Sequence, residues 1–218
     1  MMKIEYRYAK VIDWFEKNMP YAETELHYTD PFQLLIAVIL SAQCTDKRVN
    51  LISPALFNAF PTPEALAASN ENTVYKYVKS ISYPNNKSKH LVAMAKMLVT
   101  NYAGQVPSNI KELMKLPGVG QKTANVIASV AFGIPAMAVD THVFRISNRI
   151  GLTNNAQTSS QTEHILTRYI PRKLWTKAHH WLILHGRYVC IARNPHCWDC
   201  GLKEYCDYYS KNVKNENI

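Results

Sequence analysis

Lys122, Asp140 and four late cysteines are the residues of this 218-residue chain whose types and spacing can do chemistry. Lys122 follows the turn Leu116-Pro-Gly-Val-Gly-Gln121 and leads into Thr-Ala-Asn-Val-Ile-Ala-Ser-Val-Ala-Phe. Pro117 forbids a preceding helix to continue, and Gly118-Val119-Gly120 makes a tight connection to a second helix from about Gln121. Two glycines flanking one residue leave backbone N–H groups at a helix start, which suits a phosphate. In the first turn of that helix, burial and the positive end of the helix dipole disfavour the ammonium form of Lys122. A neutral amine is a nucleophile, and its attack on a sugar or carbonyl carbon yields a Schiff base. Asp140 precedes Thr141-His142-Val143 and the periodic run Val143, Phe144, Ile146, Ile150, which places it at a helix N-terminus. An N-cap is its ordinary role there. A carboxylate kept ionised by the helix dipole can also take a proton or stabilise positive charge, and both roles are compatible. His142 and Arg145 are its near neighbours.

Cys190-x6-Cys197-x2-Cys200-x5-Cys206 gathers four thiols into one short segment. They can close around one metal or one cluster. Zinc sites more often pair two Cys-x2-Cys units across a longer loop, and a single uneven loop suits a [4Fe-4S] cluster, so spacing alone leaves both open. Disulfides fit less well, because the grouping suits a metal site in a reducing compartment. Cys44 stands apart and reads as a small buried hydrophobe.

The chain is 47% apolar, ample for a buried core, and 25 Lys and Arg against 16 Asp and Glu give it a net charge of +9. That balance points to a polyanionic partner, nucleic acid ahead of an anionic membrane. The N-terminus lacks the pattern of a signal peptide and no apolar run is long enough to span a bilayer, which predicts an intracellular protein.

The elements that position these groups read as helices throughout, with no strand required. Ile4, Tyr8, Val11, Ile12 and Phe15 give an amphipathic helix over residues 4–18 that Pro20 ends. Asp30 caps a nearly all-apolar, hence buried, helix from Phe32 to about Gln43 with Pro31 at its first position. Thr45 caps the next helix, about 47–60, and short helices follow near 63–68 and 73–79. A loop, Ile81-Ser-Tyr-Pro-Asn-Asn-Lys87, precedes a helix from about Ser88 to Tyr102 and another from Asn109 to Leu116, where Leu113, Met114 and Leu116 form an apolar stripe. Beyond a polar loop, 153–162, helices are expected near 163–169 and 173–189. The second places Trp175, Ala178, Trp181, Leu182, Leu184 and Tyr188 in the core, and His179, His180 and His185 as surface or satisfied core histidines. The tail from Tyr208 is polar and expected to fray.

Leu-Pro-Gly-Val-Gly-x-Lys-Thr-Ala, followed by Val139-Asp-Thr-His-Val143, resembles the helix-hairpin-helix, Gly/Pro-rich, aspartate-containing signature of DNA glycosylases, and the lysine points to its endonuclease III branch. The segment Leu40-Ser-Ala-Gln-Cys-Thr-Asp46 is similar to the same family's pattern, as is the cysteine spacing with Ala-Arg-Asn-Pro in its first loop. The match runs from about Val11 to Cys206.

The resemblance implies an all-α fold of two helical lobes with a DNA-binding cleft between them. One is a six-helix barrel over 26–136 that carries the hairpin. The other is an iron–sulfur lobe from 1–25 and 137–218. It implies a base excision repair glycosylase that removes damaged pyrimidines from double-stranded DNA and cuts at the abasic site. Lys122 would be its nucleophile, Asp140 its assistant, and Cys190, Cys197, Cys200 and Cys206 the ligands of a [4Fe-4S] cluster.

Gln43 would fill the gap left by the extruded nucleotide, and Gly118, Val119, Gly120, His142 and Arg193 would face DNA. In the family the loop at 81–87 usually reads Gly-x-Tyr-Asn-x-Lys and carries a bulky wedge. Here Ser82 replaces the glycine and Pro84 the tyrosine, so Tyr83 is the expected wedge, with Ile81 the alternative. A monomer in the cytoplasm, at a bacterial nucleoid, completes the reading. Two alternatives stand beside it. A monofunctional adenine-type glycosylase would lack this lysine, and a non-catalytic helix-hairpin-helix module would need only the turn and the basic surface.

Overall fold

The computed structural model describes residues 2–214. Among them every regular element is helical. The chain divides into two compact units, one built from residues 25–134 and the other from the segments before Glu25 and after Ile134.

The first unit begins with α2 (Pro31–Ser41), which follows the N-terminal helix α1 (Ile4–Asn18). Asp30 caps α2 through its carboxylate, which accepts from the Gln33 N–H at 2.9 Å, and Pro31 occupies the first turn. Every residue of α2 from Leu34 to Leu40 is buried, as its unbroken apolar sequence requires. Thr45 caps α3 (Asp46–Ala59), and α4 (Pro63–Ala67) and α5 (Glu71–Val78) are short helices with their own Thr62 and Asn70 caps. They pack with α6 (Pro84–Tyr102), whose Leu91, Met94, Ala95 and Leu98 are fully buried. This helix starts four residues before the expected Ser88, because Pro84 fits an N-terminal turn and the expected loop ends at Tyr83. α7 (Ile110–Leu113) is a single turn, shorter than expected. Met114 lies outside it at 43% exposure and does not join the apolar stripe of Leu113 and Leu116. α8 (Gln121–Phe132) packs on α2, and its Ala124, Ile127 and Ala128 are buried.

The second unit joins α1 to α9 (Thr141–Ile150), α10 (Ser159–Tyr169), α11 (Trp175–Tyr188) and α12 (Asp207–Asn212). Its core is aromatic. Phe15 stacks on Trp181 at 5.5 Å between ring centres, and Tyr8 stacks on Tyr169 at 4.8 Å. Arg7, almost fully buried on α1, forks onto the Asp207 carboxylate and donates to the Gly151 carbonyl at 2.8 Å.

That fork holds α12, so the tail is helical from Asp207 rather than frayed from Tyr208; residues 215–218 lie outside the described residues. α10 starts at Ser159, capped by Thr158, inside the stretch expected to be loop. On α11, Ala178, Trp181 and Leu182 are core, whereas Tyr188 is 60% exposed and is not. No helix among the described residues is long and apolar enough to cross a membrane.

Candidate active site and cluster loop

The glycine hairpin is shaped by two different demands. Gly118 sits at φ +81°, and a Cβ there would come within 3.0 Å of the His90 Cβ, so the position needs glycine twice over. Gly118→Ala is expected to lower stability by about 1–3 kcal/mol, read as a fall in melting temperature. Gly120 is different. It caps α8 in extended conformation, and a Cβ there would meet nothing within 4 Å. The protein's own packing therefore does not explain this glycine. Val119 is buried and its N–H donates to the Leu116 carbonyl at 3.1 Å, so it shapes the turn and offers no free amide to a phosphate.

Lys122 stands in the first turn of α8 and is exposed, where burial was expected.

Gln43 and Tyr83 lie in the same unit, on two neighbouring turns. Gln43 is exposed at the end of α2 with φ +53°, and Tyr83 precedes α6 with φ +54° and 60% exposure. A left-handed backbone costs a non-glycine residue about 1–2 kcal/mol, so both turns are held against a local penalty. Ile81, the other wedge considered, is 6% exposed and belongs to the core. Lys87 is 5% exposed and points its ammonium group at the Leu40 and Ala42 carbonyls, at 2.8 and 2.6 Å, closing the end of α2 just before Gln43. Burial pushes its pKa below the usual lysine range. Cys44, beside it, is partly exposed rather than buried.

In the other unit, Asp140 is half-buried and caps α9, its carboxylate accepting from the Val143 N–H at 2.8 Å. The backbone leading to it is held by His179, whose Nδ1 bonds the Ala138 carbonyl at 2.7 Å and so carries the proton. Next to Asp140, burial lowers the His142 pKa against the opposing pull of the Asp140 carboxylate. His142 Nδ1 lies 3.2 Å from an Arg145 nitrogen, so it faces a cation within its own helix.

The four cysteines Cys190, Cys197, Cys200 and Cys206 line one pocket, shared with His185 and Leu202. Burial raises the pKa of Cys197 and Cys200 and pushes that of Cys206 up to about 11. A metal or cluster bound by these thiols would favour their thiolate forms.

Two arginines of α9, which sequence reasoning did not assign to this loop, hold it in place. Arg145 donates to the Gly186 carbonyl at 2.8 Å and to that of Cys190, and Arg149 donates to the Ile191 and Ala192 carbonyls at 2.7 and 2.9 Å. Arg149 also approaches Cys190 Sγ at 3.5 Å. The only available signal was their i, i+4 spacing on one helix face. Arg193, in the loop between the first two cysteines, is exposed. His179, His180 and His185 are all buried, so the surface alternative falls. His185 Nε2 lies 3.5 Å from Cys200 Sγ, while its Nδ1 has no hydrogen-bond partner among the described residues.

Residues 36–172 match the family model of the HhH-GPD superfamily of base excision DNA repair proteins, and residues 190–206 match the iron–sulfur binding domain of endonuclease III. Endonuclease III of Rickettsia conorii is 52% identical over 200 residues, which cover 92% of this chain and 95% of that protein. The chain belongs to the endonuclease III family. The Bacillus subtilis endonuclease III is 44% identical, over 94% of this chain and 92% of its own length. A trapped covalent intermediate of an endonuclease III with DNA superposes with a TM-score of 0.92 at 42% identity, covering 97% of this chain and 99% of the other. A thermostable thymine-DNA glycosylase follows at 0.84 and 26% identity, over 94% of this chain and 98% of its own. As a member of that family, this chain is a base excision repair enzyme, a DNA glycosylase with abasic-site lyase activity, and carries a [4Fe-4S] cluster. The donor set of the 190–206 loop fits that cluster.

Proposed function

We propose that the enzyme removes oxidised pyrimidines from duplex DNA through a Schiff base on Lys122 and then cuts the strand 3′ to the abasic site. The observation that carries this reading is the exposed amine of Lys122 in the first turn of α8, directly after the glycine hairpin. The endonuclease III of similar fold that was trapped in a covalent intermediate with DNA supports it, because an enzyme–DNA bond requires a nucleophile. Borohydride reduction tests it: a covalent adduct on thymine-glycol DNA is expected, and its absence from cluster-loaded enzyme would favour a monofunctional glycosylase.

The reaction needs the damaged nucleotide out of the stack, at a cost of a few kcal/mol that is least at a damaged pair. Gln43 and Tyr83 would fill the vacated space. Gly120, where a Cβ would meet nothing of the protein, would let a phosphate approach the first turn of α8. The Lys122 amine, neutral when it reacts, would attack C1′. The glycosidic C–N bond breaks and its electron pair leaves with the base, which takes up a proton. The amine gives up a proton, its lone pair forms the imine as the C1′–O4′ bond breaks, and the ring oxygen leaves with that bond's electron pair and takes up a proton to become a hydroxyl. Abstraction of a C2′ proton then expels the 3′ phosphate and cuts the strand. Asp140 would stabilise the positive charge that develops at C1′ and accept or return the proton.

His142 and Arg193 are assigned to phosphates. In domain terms, residues 26–136 would form the barrel lobe and residues 1–25 with 137–218 the iron–sulfur lobe. Cys190, Cys197, Cys200 and Cys206 would hold the cluster, which when bound cross-links the 190–206 loop through iron–thiolate bonds. Cys206→Ala is expected to abolish the brown visible absorption, bring protein-bound iron close to zero and lower the melting temperature, since metal-binding free energy here is folding free energy. The enzyme would act as a monomer in the bacterial cytoplasm, at the nucleoid.

A further inference from the structure

Two exposed side chains assigned to enter the duplex, Gln43 and Tyr83, sit on separate turns that are both left-handed. One hydrogen bond joins those turns: the Ser82 hydroxyl donates to the Gln43 carbonyl. The Gln43 turn is gripped again from behind by Lys87, which bonds the Leu40 and Ala42 carbonyls. The bond needs a side-chain donor at position 82, which the Ser82 hydroxyl supplies and a glycine or alanine could not. A strained turn persists only where its surroundings over-determine it, and a side chain preset in its working position loses less freedom on binding.

We propose that Ser82 is a positioning residue that couples the Tyr83 turn to the Gln43 turn, so that both side chains enter the duplex as one preformed unit. This inference rests on the assignment of Gln43 and Tyr83 as the residues that fill the opened duplex. Its effect falls on base extrusion and not on the bond chemistry at Lys122.

The test uses full-length, cluster-loaded enzyme under single-turnover conditions. The substrate is a duplex with thymine glycol and a neighbouring 2-aminopurine, which brightens as its stacking is disrupted. Ser82→Ala is expected to slow excision about 2–10-fold, the equivalent of one neutral hydrogen bond, and to reduce the 2-aminopurine signal, while ground-state affinity changes less. Ser82→Thr, which restores a hydroxyl, is expected to recover both rate and signal. Ser82→Ala equal to wild type in either readout, or Ser82→Thr failing to recover them, overturns the coupling. Wild-type trapping by borohydride on single-stranded DNA with an abasic site, where there is no duplex gap to fill, separates the two claims. No wild-type adduct there sinks the Schiff-base reading, whatever Ser82 does.

Discussion

Lys122→Gln is expected to abolish the borohydride-trapped adduct and to lower single-turnover base release by about 10³-fold or more, while duplex binding survives. Glutamine keeps much of the length and polarity of lysine but has no basic nitrogen, so it forms no imine. Lys122 is exposed on a helix start, so its replacement leaves no cavity and no buried charge, and folding should be untouched. Binding loses one cation, which makes the salt dependence of affinity slightly shallower. Equal melting temperature, retained gel-shift affinity and no adduct form the expected set. A variant that still forms an active-site adduct would remove Lys122 from its role.

Asp140→Asn separates the structural and chemical roles of one carboxylate. Asp140 Oδ1 accepts the Val143 N–H at 2.8 Å, and asparagine caps helices about as well as aspartate, so stability should stay nearly constant. The charge is lost, however, and with it general acid–base or electrostatic assistance, typically worth about 10²–10⁴-fold in rate. Asp140→Ala should lose the rate and also about 0.5–2 kcal/mol of stability, because the cap goes too. If Asp140→Asn kept the wild-type rate, the cap would be the whole function of this residue. Melting curves read beside single-turnover rates distinguish the cases.

Much of this was legible in the chain because the signals were local. Asp30 before Pro31, Thr45 before Asp46 and Asp140 before Thr141 each marked a helix start that the structure holds within a residue or two. The all-apolar run of α2 declared its burial. The signals that misled were those whose outcome depended on distant partners. The tail from Asp207 looked too polar to order, and its helix exists because Arg7, two hundred residues away, forks onto Asp207. Met114 and Tyr188 followed the helical period, yet Met114 falls just past a single-turn helix and Tyr188 at the end of another, where period no longer fixes burial.

The same limit held at the functional residues. Cys-x6-Cys-x2-Cys-x5-Cys announced a four-thiol site but not the arginines that brace it, since a carbonyl acceptor carries no mark in sequence. Lys122 was expected in the first turn of a helix and buried there; the fold keeps it in that first turn but exposes it. Ser82 read as a departure from the family's glycine. Its bond to the Gln43 carbonyl joins residues 39 apart, which no local pattern marks.

The most direct test is to map the reduced adduct itself. Wild-type enzyme is trapped with borohydride on a thymine-glycol duplex, digested with protease and nuclease, and sequenced by tandem mass spectrometry. The sugar remnant is predicted on the peptide containing Gly120-Gln121-Lys122, at the lysine nitrogen. Its appearance on another lysine or on the N-terminal amine would contradict the account.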